Sequence, residues 1–196
     1  MKLMSWNIHG FVGRDGITDP HRTANVIRRV APDVAALQEV ELRHHGRDIL
    51  APLLDEPRSQ IVEAPAMGEG DNWYGQALFS RFPIADCTIH DLSVSRYEPR
   101  RLIEAVVDTS GGYLRILATH LGLKHRERLR QFEQIRQVIL DKPHLPTALC
   151  GDFNAWWPFI RIMREVFGYG RRPRRAPPRT DGDPLKGRGP AVRLWA

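Results

Sequence analysis

Several short apolar segments of the sequence end in a polar residue. If these segments are strands, their ends could form a functional site. These residues are Asn7, Glu39, His120, Asp152 and Asn154. A carboxylate buried at a strand end is costly unless a cation or a hydrogen-bond donor compensates its charge. Glu39 and Asp152 therefore indicate a metal site. Carboxylate and amide oxygens favour Mg²⁺ or Mn²⁺ over zinc.

Each of these residues also has an ordinary structural interpretation. An asparagine after a strand, such as Asn7, often caps a turn, and Glu39 fits a solvated strand end beside Glu41. A single histidine such as His120 is more often a hydrogen-bonded structural residue than a catalyst. The functional interpretation depends on the joint occurrence of all five residues.

The apolar patterns around these residues predict the elements that position them. Apolar runs over residues 2–8, 33–40 and 145–150 predict three buried strands. Asp19 followed by Pro20 predicts a helix that ends before Pro32. An apolar stripe over residues 126–140 predicts a second, amphipathic helix that packs across a sheet.

The middle of the chain is predicted to be rich in strands. The expected strands are residues 60–64, 75–80, 84–92, 101–108 and 113–120, with a loop at 67–72 and short helices at 46–54 and 158–167. The last two strands are joined by Thr109-Ser110-Gly111-Gly112, which predicts an antiparallel hairpin. Strands and helices in this order favour an α+β fold with two packed sheets covered by helices.

Length and composition indicate one folded domain in a reducing compartment. The 196 residues are 42% hydrophobic, and no stretch approaches the roughly 20 apolar residues of a membrane span. The N-terminus meets Asn7 too early for the apolar core of a secretory signal. Cys87 and Cys150 offer neither a disulfide framework nor zinc-type spacing. We therefore expect a cytoplasmic protein.

The net charge of +6 lies in the last part of the sequence. Residues 171–196 hold seven Arg and one Lys against two Asp, so residues 1–170 are formally neutral. We expect residues 1–170 to form the domain and residues 171–196 to be a basic Pro/Arg-rich tail without regular structure. Such a tail adds affinity for any polyanion, so it does not identify a substrate.

Five motifs together resemble the endonuclease/exonuclease/phosphatase family, which includes exonuclease III and deoxyribonuclease I. They are SWNIHG at 5–10, LQEV at 37–40, GQALFSRFPI at 75–84, ATHLG at 118–122 and GDFNA at 151–155. LQE and GDFN, in this order and at this separation, are the specific ones. The resemblance implies a four-layered α/β/β/α sandwich of the deoxyribonuclease I type.

The resemblance also implies a Mg²⁺-dependent hydrolase of phosphate esters. By motif, Glu39 would bind the metal, with Asn7 as a ligand or as a residue that orients ligands. Asp152 would be a further metal ligand that positions or activates water, while Asn154 and His120 would hold the scissile phosphate. Positioning and charge stabilisation are the main requirements of phosphoryl hydrolysis.

The sequence departs from the family pattern after GDFN. The family ends in an Asp-His motif, whereas the last histidine here is His144. A lost general base typically costs about 10²- to 10⁴-fold in rate. We expect an incomplete second sheet and interpret the sequence from about Gly170 onward as a shifted reading frame or a truncation. The coding DNA tests this interpretation: if neither of the other two reading frames encodes an Asp-His followed by an apolar strand, the interpretation is wrong.

Two other functions stay open on the sequence alone. The chain could be an inactive or truncated family member, or a nucleic-acid-binding module that acts through its basic tail. The family's substrates include nucleic acids and the head groups of phospholipids and inositol phosphates, and the motifs do not choose among them. Trp156 is a candidate substrate contact because aromatic rings stack on bases. The sequence does not determine the oligomeric state.

Overall fold

Nine strands and two α-helices form the described part of the computed structural model, which comprises residues 1–42, 59–69, 72–154 and 192–195. The first half contains β1 (Leu3–Asn7), a 3₁₀ turn (His9–Phe11), α1 (Pro20–Val30), β2 (Val34–Glu41), β3 (Gln60–Glu69) and β4 (Asn72–Ser80). The second half contains β5 (Ile84–Asp91), β6 (Arg101–Thr109), β7 (Gly112–His120), α2 (His125–Asp141), β8 (Thr147–Asp152) and β9 (Val192–Trp195). Within these ranges, no helix combines the length and apolar content needed to cross a bilayer.

The helix α1 begins and ends at the predicted signals. The Asp19 carboxylate accepts a hydrogen bond from the Arg22 backbone N–H at 3.2 Å, and Pro20 occupies the first helical position. Ala31 adopts a left-handed conformation with φ of 47°, and Pro32 follows it. The capping side chain satisfies one of the free N–H groups at the helix start, which is why Asp-Pro is a reliable start signal.

The strands form two mixed sheets. The first has the order β1-β2-β4-β3, with β1 and β2 parallel. The second has the order β5-β6-β7-β8-β9, with β7, β8 and β9 parallel to one another. The hairpin of β6 and β7 turns at Ser110-Gly111, between the paired Thr109 and Gly112, within the predicted segment. The pairs β1–β2 and β7–β8 therefore each end at one edge of their sheet.

Three apolar interfaces stack the elements in four layers. Along β2, Ala35 and Leu37 pack towards α1, whereas Val34 and Ala36 pack towards the second sheet. The other face of the second sheet packs on α2 through Leu102, Leu117, Leu149, Phe132, Ile135 and Ile139. This alternation follows from the period of two in a strand that is buried on both faces. The predicted α+β sandwich, α/β/β/α, is confirmed.

The structure differs from the prediction in the segment between β3 and β4. Residues 67–72 were expected to form a loop, but β3 continues to Glu69 and β4 begins at Asn72. The pairing shifts register at a bulge between Pro65 and Met67. A β-bulge places one extra residue in one of two paired strands. The pairing therefore continues through Gly68, although glycine in this segment favoured a loop.

The basic segment contains one strand. No regular structure was expected after residue 170, but β9 pairs in parallel with β8, with Val192 opposite Thr147. Four residues are too few for a periodic signal, and the partner edge of β8 supplies the hydrogen bonds. The predicted helices at 46–54 and 158–167 and the boundary at residue 170 lie outside the described residues. The incomplete second sheet stays a prediction.

Candidate functional site

The ends of four strands bring the predicted residues to one edge of the sandwich. In the first sheet Asn7 ends β1 opposite Gln38 of the parallel β2, one residue before Glu39. In the second sheet His120 ends β7 directly opposite Asp152 at the end of β8. Parallel strands expose their carboxyl ends on the same side, so two pairs in stacked sheets bring the four side chains together.

Glu39 occupies a distorted position of β2. Its φ is 55°, a left-handed value that non-glycine residues adopt rarely, and the β2–β4 pairing shifts register between Gln38 and Val40. The bulge leaves Glu39 out of the ladder with β4, and this redirects its side chain. Strained backbone of this kind is found preferentially at functional sites.

Gly151 is required where β8 approaches β7. Its φ is 144°, and a Cβ atom at this position would lie 1.9 Å from the backbone oxygen of Thr119. Only glycine permits this approach. The glycine of the GDFN motif therefore allows Asp152 to stand beside His120.

Asn7 joins the two carboxylates. Its Nδ2 atom donates to Glu39 Oε1 at 2.8 Å and to Asp152 Oδ2 at 3.0 Å. Its Oδ1 atom accepts the backbone N–H of His9 at 3.0 Å, which orients the amide. Two carboxylates from distant segments therefore lie within hydrogen-bond distance of one nitrogen.

Glu39 is held by neutral donors. Besides Asn7, the hydroxyl of Tyr74 donates to Glu39 Oε2 at 2.8 Å, and Nδ1 of His9 lies 3.0 Å from the same oxygen. Burial raises the pKa of Glu39, but these hydrogen bonds outweigh it and hold the pKa below its ordinary value. Burial and the Glu39 charge raise the pKa of Tyr74, so its hydroxyl stays protonated as a donor.

His120 faces both carboxylates. Its Nε2 atom lies 4.0 Å from Glu39 Oε1 and 3.9 Å from Asp152 Oδ2. Burial, and then the positive charge of Arg100, lower the pKa of His120, although both carboxylates act in the opposite direction. The ring is therefore neutral at neutral pH.

Asn154 is fixed behind His120. Its Nδ2 atom lies 3.0 Å from His120 Nε2 and donates to the backbone oxygen of Leu121 at 2.8 Å. Its backbone N–H donates to Asp152 Oδ1 at 2.9 Å. The structure thus brings Asn7, Glu39, His120, Asp152 and Asn154 into one site. Trp156 lies outside the described residues.

Three further residues of this site were missed in the sequence. His9 and Tyr74 hold Glu39, and Arg100 acts electrostatically on His120. His9 lies in SWNIHG, so the motif itself was a signal. Tyr74 directly precedes the predicted strand 75–80, and Arg100 directly precedes the predicted strand 101–108. Neither residue belongs to an apolar pattern, so only the folded sheets show that they reach the site.

The donor set fits a hard divalent cation. Glu39 and Asp152 supply carboxylate oxygens, and neither forms an ion pair with Lys or Arg among the described residues. Those residues contain no group of three or more His, Cys, Asp or Glu side chains suited to a metal. Mg²⁺ commonly uses one or two carboxylates and completes its shell with water and substrate phosphate. The residues present therefore suit Mg²⁺ or Mn²⁺ better than zinc.

Known proteins share the sequence pattern and the fold. The Uncharacterized protein YbhP of Escherichia coli (strain K12) is 25% identical over 169 residues, covering 79% of this chain and 67% of that protein. The 5'-tyrosyl-DNA phosphodiesterase of Caenorhabditis elegans is 28% identical over 165 residues, covering 79% of this chain and 42% of that protein. The endonuclease/exonuclease/phosphatase structure from Beutenbergia cavernae DSM 12333 matches with a TM-score of 0.63 and 26% identity, covering 79% of this chain and 47% of that chain.

The chain thus spans less than half the length of the nematode and Beutenbergia proteins. The sequence profile described as the Endonuclease/Exonuclease/phosphatase family matches residues 4–188, which is most of the chain. The chain therefore belongs to the endonuclease/exonuclease/phosphatase family.

Proposed function

We propose that this chain hydrolyses phosphate esters with a divalent cation, Mg²⁺ or Mn²⁺, held by Glu39 and Asp152. The observation that carries the proposal is the convergence of these two carboxylates on Nδ2 of Asn7. Their negative charge is not balanced by an ion pair with Lys or Arg in the described residues. A bound cation would polarise the phosphoryl oxygens and offset the charge of the ester.

The residues around the carboxylates have separate roles in this proposal. Asn7 is a positioning residue, because its amide fixes both carboxylates in relation to each other. Asp152 accepts a proton from the attacking water or orients that water. The backbone N–H of Asn154 restrains Asp152 Oδ1, which leaves Oδ2 on the side of Asn7 and His120.

The other side of the site stabilises negative charge. Neutral His120 and the amide of Asn154 supply hydrogen bonds to the phosphate oxygens, and Arg100 supplies a fixed positive charge beside His120. Donors preorganised towards developing charge contribute about 10²- to 10³-fold each in other hydrolases. The buried, hydrogen-bonded setting of His120 and Asn154 provides such preorganisation.

Relatives support a phosphate ester as the substrate class. The nematode relative is named a 5'-tyrosyl-DNA phosphodiesterase, and the human Nocturnin catalytic domain, 26% identical with a TM-score of 0.62, was solved with a sulfate anion. We propose that this chain acts on a phosphodiester or phosphomonoester of the same general kind, carried by nucleic acid or by a phospholipid or inositol phosphate head group.

The test is Mg²⁺-dependent hydrolysis of bis(p-nitrophenyl) phosphate by the full chain. Glu39→Gln and Asp152→Asn should each lower the rate by at least about 10²-fold, because each removes a charge that holds the cation. Glu133→Gln is the matched control, since Glu133 is exposed on α2. Equal rates in all four proteins would refute the proposal. No hydrolysis by the wild type, together with Mg²⁺ binding that needs Glu39, would indicate an inactive family member.

A further inference from the structure

A cleft of about 210 Å³ adjoins the candidate site. One wall is the segment that precedes β6, with Arg96, Tyr97, Glu98 and Arg100, and the other is formed by Leu123, Lys124 and Glu127 around the start of α2. The volume corresponds to about seven water molecules at liquid density. The cleft is therefore large enough for a planar group but not for a large ligand.

Arg100 connects this cleft to the candidate site. It lines the cleft and also a smaller cavity that Tyr74 and His120 line. Its side chain is only 9% exposed, and one of its nitrogens, Nη2, donates to Glu98 Oε2 at 2.7 Å. Its Nε atom is buried and has no hydrogen-bond partner among the described residues. Arg100 therefore places a positive charge, paired with Glu98, between the two cavities.

The charges in the cleft leave cations unpaired. Glu98 is paired with Arg100, and Glu127 accepts hydrogen bonds from the Lys124 backbone N–H and from Gln131. In the described part of the chain, the side chains of Arg96 and Lys124 form neither an ion pair nor a side-chain hydrogen bond. Glu98 is thus paired and Glu127 is buried, whereas Arg96 and Lys124 expose cations that, among the described residues, have no carboxylate partner.

The cleft also exposes apolar surface on a fixed backbone. Tyr97 is 41% exposed and Leu123 is 66% exposed. The backbone N–H of Tyr97 donates to Val94, and the backbone oxygen of Leu123 accepts from Nη1 of Arg128. An exposed ring and an exposed aliphatic side chain on restrained segments form a surface on which a flat ring can stack.

We propose that this cleft binds a nucleotide next to the scissile phosphate, with its base against Tyr97 and Leu123 and its next phosphate at Arg96 and Lys124. The proposal rests on the phosphoester hydrolysis proposed above and selects nucleotide phosphodiesters as the substrate class. An aromatic surface beside unpaired cations matches the alternation of base and phosphate. A sugar or polyol head group offers no aromatic face to the exposed ring of Tyr97, so a nucleobase matches this surface better.

The test measures the affinity of the full chain for fluorescein-labelled single-stranded dT4 by fluorescence anisotropy. EDTA removes divalent cations, so the oligonucleotide is not hydrolysed during the measurement. Tyr97→Ala should weaken binding about tenfold, because stacking of one base on an aromatic side chain is lost. Tyr97→Phe should retain the affinity. The matched control is Tyr113→Ala, an exposed tyrosine at the opposite end of β7.

A second probe separates the base from its phosphates. An oligomer with the same charge but four abasic sites should bind the wild type and Tyr97→Ala equally. Arg96→Ala and Lys124→Ala should each reduce the slope of log affinity against log salt by about 0.7, as expected for one lost phosphate contact to a single strand. The control is Arg130→Ala, an exposed arginine of α2, which should leave the slope unchanged.

Every outcome of this design bears on one of the two proposals. Equal dT4 affinity in the wild type and Tyr97→Ala, or no binding by the wild type, overturns the nucleotide cleft even if bis(p-nitrophenyl) phosphate is hydrolysed. Binding that depends on Tyr97 in a chain that hydrolyses nothing retains the cleft and refutes the proposed hydrolysis. A Tyr97 effect that persists with the abasic oligomer excludes base stacking and overturns the proposal.

Discussion

Glu39 is a partly buried carboxylate of the first sheet, and Glu104 is a buried carboxylate of the second sheet. The negative charges of the two residues are compensated in different ways. Glu104 of β6 lies 3.4 Å from Nη1 of Arg115, 3.2 Å from Nζ of Lys142 and 2.8 Å from Nε2 of His90. Glu39 accepts hydrogen bonds from neutral Asn7 and Tyr74 and has a second carboxylate beside it. The cluster at Glu104 is balanced by cations, whereas the cluster at Glu39 retains net negative charge.

The cluster at Glu104 has a structural role. The guanidinium of Arg115 is fully buried and donates to the backbone oxygens of Val138 and Ile139 near the end of α2 and to Thr147 of β8. It therefore joins the helix to the second sheet. A buried carboxylate is therefore a candidate cation site where the fold supplies neutral donors and a second carboxylate instead of a positive charge.

The largest effect is expected from removing Arg115 from the cluster at Glu104. Arg115→Met should lower the free energy of unfolding by about 3–5 kcal/mol, because it removes a buried cation and leaves the acceptors of α2 unsatisfied. Urea unfolding of the full chain measures the change. Arg130→Met on the exposed face of α2 is the control. A loss of less than about 1 kcal/mol for Arg115→Met would show that the cluster contributes little.

The next effect tests the negative charge at Glu39. Mg²⁺ at a hundredfold excess over its dissociation constant should raise the free energy of unfolding by about 2.7 kcal/mol. Glu39→Gln should abolish this increment, and Glu104→Gln should retain it, because only Glu39 lies in the uncompensated cluster. Urea unfolding with and without Mg²⁺ provides the measurement. An equal increment in wild type and Glu39→Gln would remove Glu39 as a metal ligand.

A smaller effect is expected from acid. Burial raises the pKa of Glu104, but His90, Lys142 and Arg115 outweigh it and hold the pKa below its ordinary value of 4.5. The stabilising contribution is therefore present above pH 4.5 and is lost as the pH falls through the lower, folded-state pKa. The stability difference between wild type and Glu104→Gln should shrink over that window in urea unfolding at pH 7, 5, 4 and 3. A difference that is constant with pH would contradict the assignment.

The smallest effect is expected from removing the Tyr74 hydroxyl, which donates a hydrogen bond to Glu39 without neutralising its charge. Tyr74→Phe removes one hydrogen bond to Glu39 and should lower the free energy of unfolding by about 1 kcal/mol. The increment due to Mg²⁺ should persist, because the hydroxyl orients the carboxylate without neutralising it. Tyr113→Phe in the exposed hairpin serves as the reference. Loss of the Mg²⁺ increment in Tyr74→Phe would mean that the hydroxyl itself is essential to the cation site.

Local signals in the sequence predicted most elements. Asp19-Pro20 placed the start of α1 because an N-cap and a proline act within one helical turn. The stripe of α2 and the glycine turn between β6 and β7 are equally local. Strands β3 and β4 were predicted, but their extension to Glu69 and Asn72 was missed because that pairing depends on a bulge and on the partner strand.

The amino-acid sequence was sufficient to predict which residue types end the strands and, through five motifs, the family and the expected site. It was not sufficient to predict that Tyr74 and Arg100 reach this site, that Asn7 joins both carboxylates, or that Glu104 is balanced while Glu39 is not. Those relations depend on the parallel pairing of β1 with β2 and β7 with β8 and on the stacking of the two sheets. The compensation of a charge depends on distances between segments far apart in the chain, and these distances are set by the folded arrangement of the two sheets.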